Sequence, residues 1–231
     1  MLAGGLGTRL RHVTGESLPK ALVPVAGRPF IDRKLVELRD AGAQDVLLLV
    51  AHGADPIRDH VGNGSAFGLR VEYLEDGPRL LGTGGAVARA IPRLGDTFWV
   101  TYGDTLLDFD HAAAEAAFTT AGCLAMMTVL HNRDRWQPSN ALVGDGRVVA
   151  YAKNPAPAGA EHIDYGMLLF RADAIGGVET VTPFDLGVVL GRLVADGQLG
   201  AFEVDRRFHD IGTPGALEET ETWLRARGDG D

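Results

Sequence analysis

Two hydrophobic periods take turns along this chain. Val46-Leu47-Leu48-Leu49-Val50-Ala51 is an unbroken apolar run, the pattern of a strand covered on both faces. Leu69-Arg70-Val71-Glu72-Tyr73-Leu74 alternates with period two and predicts a half-buried strand, and Phe98-Trp99-Val100-Thr101-Tyr102 predicts another that ends at Gly103-Asp104. Helical spacing fills the intervals. Pro29 opens a segment to Ala41 that carries apolar Phe30, Ile31, Leu35, Val36 and Leu38, with Gly42 placed to cap it. Asp55-Pro56 starts a short helix, and Gly84 to Ile91 predicts one that leaves a glycine turn directly. The second half predicts a helix near Asp110 to Thr119, a strand from Cys123 to Leu130 and a hairpin turning on Asp145-Gly146. Strands follow near Arg147 to Ala152 and Tyr165 to Phe170. Thr182-Pro183 and Thr213-Pro214 each combine a capping hydroxyl with a first-turn proline.

Strand, glycine turn and helix in repetition predict an α/β fold: a Rossmann-like mixed, mainly parallel sheet flanked by helices. At 231 residues, with no repeat or linker, a single domain is expected. No apolar run approaches the roughly 20 residues that span a bilayer. The N-terminus lacks the basic-then-apolar layout of a signal peptide, so the expectation is a cytoplasmic protein with no membrane partner. The net charge of −9 argues against a nucleic-acid partner but not against small phosphorylated ones, which local cations meet. The lone cysteine, Cys123, excludes an intrachain disulfide and, within an apolar run, predicts a buried structural thiol.

Chemistry enters at the first residues. Leu2-Ala3-Gly4-Gly5-Leu6-Gly7-Thr8-Arg9-Leu10 places three glycines in four positions, where backbone N–H groups can approach an anion closely. Arg9 and, downstream, Lys20 add fixed positive charge, so a phosphate cradle is the natural reading. The P-loop pattern is absent, and G-x-G-x-x-G fails because Leu10 stands at the third glycine. A loop at Gly4 to Gly7 leaves only Met1, Leu2 and Ala3 for a first strand. Asp104 follows a strand's carboxyl end, where open α/β sheets bind ligands, and a carboxylate there suits Mg²⁺. Asp108-Phe109-Asp110 has the look of a glycosyltransferase D-x-D, but Asp110 has an ordinary role as a helix cap.

Five stretches in order resemble the sugar-1-phosphate nucleotidylyltransferases: the glycine loop with Arg9, Pro19-Lys20 through Pro29, Leu81-Gly82-Thr83-Gly84-Gly85-Ala86, Tyr102-Gly103-Asp104, and His209-Asp210-Ile211-Gly212-Thr213-Pro214. The resemblance implies the nucleotide-diphospho-sugar transferase fold, with residues 1–110 mainly binding NTP and 111–231 mainly binding sugar phosphate. It implies Arg9 and Lys20 as the catalytic cations and Asp104 and Asp210 as ligands of Mg²⁺. Nucleotide contacts fall on Leu2, Ala3, Gly4, Gly5, Gly7, Thr8, Arg9, Gly82, Thr83 and Gly84. Sugar-phosphate contacts fall on Gly103, Lys153, Asp164, Tyr165 and Gly166, although Asp164-Tyr165 stands where the family more often has asparagine and alanine. Within the family, the chain is similar to the D-glycero-D-manno-heptose 1-phosphate and mannose 1-phosphate guanylyltransferases. That implies GTP and a heptose- or mannose-type sugar 1-phosphate as partners. Uridylyl or thymidylyl transfer and a non-catalytic regulatory paralogue stay open, and a homodimer is expected on base rate alone.

Overall fold

The computed structural model describes residues 1–5, 18–51, 54–77, 79–176 and 182–228. Its strands are β1 (Pro24–Val25), β2 (Arg28–Pro29), β3 (Asp45–Val50), β4 (Arg70–Glu75), β5 (Thr97–Thr101), β6 (Thr105–Leu106), β7 (Ala125–His131), β8 (Ala141–Gly144), β9 (Arg147–Tyr151), β10 (His162–Arg171), β11 (Leu199–Val204) and β12 (His209–Asp210). Its helices are α1 (Phe30–Asp40), α2 (Asp55–Val61), α3 (Gly82–Ala90), α4 (His111–Ala121), α5 (Leu186–Ala195) and α6 (Pro214–Ala226). Contacts gather the chain into two compact units that interleave in sequence. One is Met1–Leu80, Tyr102–Leu107 and Phe208–Asp231; the other is Leu81–Thr101 and Asp108–Arg207.

In the first unit β3 and β4 pair in parallel from Asp45↔Arg70 to Val50↔Glu75. Leu2 makes isolated parallel bridges to Leu49 and Tyr102, so the short first strand is a single bridged position. The helix expected after Pro29 forms as α1 with Phe30, Ile31 and Leu35 fully buried, and Gly42 follows it at φ +94°. β6 and β12 run antiparallel with Asp210 opposite Thr105. Thr213 caps α6 as expected, its hydroxyl accepting the Ala216 N–H at 3.2 Å. Val23, Val25, Phe30, Leu106, Ile211, Leu217 and Leu224 form the core beneath these pieces.

The second unit is a six-stranded sheet in the order β5-β10-β7-β11-β9-β8. The α/β class and the mixed sheet are as expected. In this sheet only β7–β11 is parallel and the other ladders are antiparallel, so the expected parallel majority does not hold here. Asp110 caps α4, accepting the Ala113 N–H at 2.9 Å. The hairpin turns where expected, with Asp145 and Gly146 both at positive φ. Cys123 is buried against Phe118, Met126 and Leu169.

Two expectations need correction. The helix read at Thr182-Pro183 starts instead at Leu186, capped by the Asp185 carboxylate, which accepts the Gly187 N–H at 2.8 Å. Phe184 keeps the preceding backbone out of the helix, because its own N–H donates to the Leu81 carbonyl. β11 was not expected at all, since Leu199-Gly200-Ala201-Phe202-Glu203-Val204 has neither alternation nor β-branched enrichment. Gly200 is there for room: a Cβ on it would lie 2.9 Å from the Cys123 sulfur.

Candidate active site

The first unit brings three of the expected residues together. Pro19 leads into one turn of 3₁₀ helix at Lys20–Leu22, seated by buried Ala21 and Val23. That turn aims Lys20 at Asp104, with Nζ 2.6 Å from Oδ2. The side chains are 15% and 36% exposed, so the pair is sheltered while the carboxylate still faces open space. The Thr105 hydroxyl donates to Asp104 Oδ1 at 3.1 Å. Asp210 arrives on β12, tied to the same strand because Ile211 N–H donates to the Asp104 carbonyl at 3.0 Å. Asp210 Oδ1 accepts the Gly212 N–H at 2.7 Å. A Cβ on Gly212 would sit 2.8 Å from that oxygen and 3.9 Å from Lys20 Nζ, so the ammonium is near both carboxylates.

Oxygen-only donors of this kind fit a hard divalent cation, which takes one or two carboxylates and completes its shell from phosphate and water. Asp104 and Asp210 are two carboxylates that could hold such an ion, and among the described residues no group of three His, Cys, Asp or Glu is placed to hold a metal.

Around this centre, the Ala3 N–H donates to Leu49 and the Gly103 N–H donates to Leu2, both at 2.8 Å. Gly4 is required by close approach: its Cβ would lie 3.1 Å from the Ala51 nitrogen. Gly103 is required likewise, with a Cβ 3.0 Å from the Leu2 carbonyl, which makes it a packing glycine. Gly5 faces open space, with nothing within 4 Å of its Cβ position. Gly7, Thr8 and Arg9 lie outside the described residues.

In the second unit the Leu81–Ala86 stretch folds into the start of α3. Gly82 sits at φ +73°, and Cβ atoms on Gly82 and Gly84 would overlap the carbonyl and ring of Phe184. The Gly84 and Gly85 N–H groups donate to the Phe184 carbonyl at 3.0 and 3.3 Å, so two of the first four N–H groups of this helix are already taken. The Thr83 hydroxyl donates to Asp185 Oδ2 at 2.9 Å and accepts the Leu186 N–H at 2.8 Å.

Asp164, Tyr165 and Gly166, expected to contact the sugar phosphate, sit on a bulge in β10, whose register against β7 shifts between Asp164 and Leu168. Gly166 takes φ +100° there, and the buried Thr101 and Thr128 hydroxyls donate to the Gly166 and Met167 carbonyls. Asp164 accepts from the Gly166 N–H and the Tyr151 hydroxyl, both at 3.0 Å, and its own N–H donates to Asn140. Burial pushes the Asp164 carboxyl up from its ordinary value, against the Gly166 N–H, the charge of Lys153 and the Tyr151 hydroxyl. Lys153 is exposed. Tyr165 is buried, its hydroxyl bonded to the Asp108 backbone and its ring edge-on to Phe109, which gives it a packing place.

Sequence reasoning missed Asn140, Tyr151, Phe184 and Asp185. Asp185 carried a readable signal, a carboxylate before the apolar run of α5; the others have only distant partners and no local pattern.

A family model described as nucleotidyl transferase matches residues 1–139. The N-acetylmuramate alpha-1-phosphate uridylyltransferase of Neisseria meningitidis is 30% identical over 96% of this chain and 95% of its own length. The mannose-1-phosphate guanylyltransferase of Mycobacterium tuberculosis is 31% identical over 93% of this chain, which spans 60% of that relative. The structure of HddC from Yersinia pseudotuberculosis complexed with GMP-PN superposes with TM-score 0.78 at 26% identity, over 96% of this chain and 97% of that one. Lys20, Asp104 and Asp210 come together in a chain of this fold, and that chain belongs to the nucleotidyl transferase family, among relatives named as sugar-1-phosphate nucleotidyltransferases.

Proposed function

We propose that the protein transfers the nucleotidyl group of GTP to a heptose- or mannose-type sugar 1-phosphate, giving the NDP-sugar and pyrophosphate. The observation that carries this reading is the Lys20–Asp104 contact at 2.6 Å with Asp210 beside it. An oxygen of the sugar phosphate forms the new bond to the α-phosphorus, and the bond from α-phosphorus to the bridging oxygen of the leaving pyrophosphate breaks. Lys20 offsets the charge that builds on the α-phosphoryl group and the leaving group. Asp104 holds the ammonium in place, Thr105 fixes the carboxylate, and Asp210 supplies the second acid. Mg²⁺ held by Asp104 and Asp210 would neutralise triphosphate charge and orient it.

Arg9, Gly7 and Thr8 complete the triphosphate cradle begun by Leu2, Ala3, Gly4 and Gly5. Gly82, Thr83 and Gly84 serve the nucleoside. Gly103, Lys153, Asp164, Tyr165 and Gly166 serve the sugar phosphate. The division of labour is residues 1–110 for the NTP and 111–231 for the sugar phosphate. Action in the cytoplasm as a homodimer belongs to the same reading. Guanylyl preference is supported by the mannose-1-phosphate guanylyltransferase relative and by the GMP-PN complex of the solved neighbour. Uridylyl transfer is the second reading, favoured by the uridylyltransferase relative that matches along nearly its full length.

The test is pyrophosphate release with Mg²⁺, each of four NTPs and a panel of sugar 1-phosphates. Release with GTP and one mannose- or heptose-type acceptor is expected. Release with UTP alone selects the second reading, and no release beyond an Asp104→Asn control removes catalysis.

A further inference from the structure

The glycines of Leu81-Gly82-Thr83-Gly84-Gly85 look, in sequence, like room left for a ligand. In the structure they are room left for Phe184. A side chain on Gly82 would meet the Phe184 carbonyl, and one on Gly84 would enter the Phe184 ring. The same carbonyl takes the Gly84 and Gly85 N–H groups, and Phe184 N–H returns a bond to the Leu81 carbonyl at 3.0 Å. Thr83 is held at its side chain, since its hydroxyl has one proton to give and gives it to Asp185, and it also accepts the Leu186 N–H. Asp185 completes the device by spending one carboxylate oxygen on Thr83 and the other on the Gly187 N–H.

We infer that Asp185 is a positioning residue for nucleotide choice. It fixes Thr83 and so sets the backbone of the Leu81–Gly85 loop, from which the nucleobase is selected. The inference rests on the reading of that loop as a nucleoside contact. It differs from a simple capping role in what it predicts. A cap lost from α5 weakens folding and leaves discrimination among bases alone. A lost positioning contact frees the Thr83 hydroxyl and loosens the loop, so NTPs bind more alike.

The experiment measures kcat and KM for all four NTPs, with thermal midpoints and nucleotide binding by calorimetry, in wild type, Asp185→Ala, Asp185→Asn and Asp185→Gly. Asp185→Ala is expected to raise KM for the preferred NTP about 10-fold and to shrink its kcat/KM advantage over the next NTP about 10-fold, with kcat within about 3-fold. Asp185→Asn has one acceptor oxygen for the two donors that the carboxylate serves, so its discrimination is expected to fall between wild type and Asp185→Ala. A lower midpoint in Asp185→Ala with discrimination unchanged overturns the inference and leaves the proposed function standing. If Asp185→Ala does not fold, Asp185→Gly, which a helix N-cap tolerates better, carries the test: discrimination lost there supports the inference and discrimination kept there overturns it. Wild-type protein that neither binds nor turns over any NTP removes the proposed function and this inference together.

Discussion

Lys20 carries the most specific expectation at the scale of single residues. Its ammonium is the described cation within bonding distance of Asp104. Removing one preorganised charge from a phosphoryl-transfer centre costs on the order of 10²- to 10³-fold in kcat. Lys20→Ala is therefore expected to lose at least about 100-fold in kcat with a near-unchanged thermal midpoint, and stopped-flow or steady-state pyrophosphate release checks it. Asp164 makes a different prediction, through pH. Its carboxyl is pushed up by burial, so the folded state holds its proton to higher pH than the unfolded chain. The contribution is favourable at low pH and is lost as pH rises from the ordinary value of 3.8 through the raised one. Asp164→Asn should consequently gain thermal midpoint relative to wild type as pH climbs from about 4 to 7; a difference flat with pH would contradict this. Lys20, Asp104 and Asp210 were legible in the sequence because each sits in a short motif with its own spacing. Phe184 was not, because its partners Gly82 and Gly84 lie about a hundred residues away and packing of that kind leaves no local pattern.

Among the elements, α1 and β6 are joined by a contact no motif announces. Glu37 Oε2 accepts the Leu107 N–H at 2.8 Å, while Oε1 takes the ammonium of fully buried Lys34 at 2.6 Å. Leu107 is three residues beyond Asp104 and directly follows β6, so α1 holds the end of the short strand that follows Asp104. Glu37→Ala strands a buried lysine and is expected to cost about 3 kcal/mol. The pair Lys34→Met with Glu37→Leu removes both charges and should recover most of that stability. It still leaves the Leu107 N–H without its acceptor, so kcat is expected to stay depressed several-fold. Full recovery of both by the double variant would show that Glu37 does no positioning. The elements most readily foreseen were those with strong periodicity or caps, such as β3, α1, α4 and α6. β11 escaped because the room needed by the Cys123 sulfur outweighed strand propensity at Gly200, and the bulge at Gly166 escaped because its stabilising hydroxyls, Thr101 and Thr128, come from neighbouring strands.

Taken whole, the molecule divides its chain in a way that linear reading does not suggest. Thr101 ends β5 in one unit and Tyr102 opens a six-residue excursion into the other, which delivers Gly103, Asp104 and Thr105 to Lys20. Alternation of strands and helices gave the fold class, since that pattern is local and repeated. The interleaving of the units was hidden because it depends on which strands pair, and β6 with β12 pairs residues about a hundred positions apart. Among the described residues, no helix is long and apolar enough to cross a membrane. The central claim is that Lys20, Asp104 and Asp210 form a centre at which a sugar phosphate attacks the α-phosphorus of an NTP. The most direct measurement uses the sugar 1-phosphate that supports turnover, labelled with ¹⁸O in its phosphate, and follows the label by mass spectrometry. The account predicts that all of the label stays with the phosphate next to the sugar in the NDP-sugar and that pyrophosphate leaves unlabelled. Label in pyrophosphate, or free nucleoside monophosphate with no NDP-sugar, would contradict it.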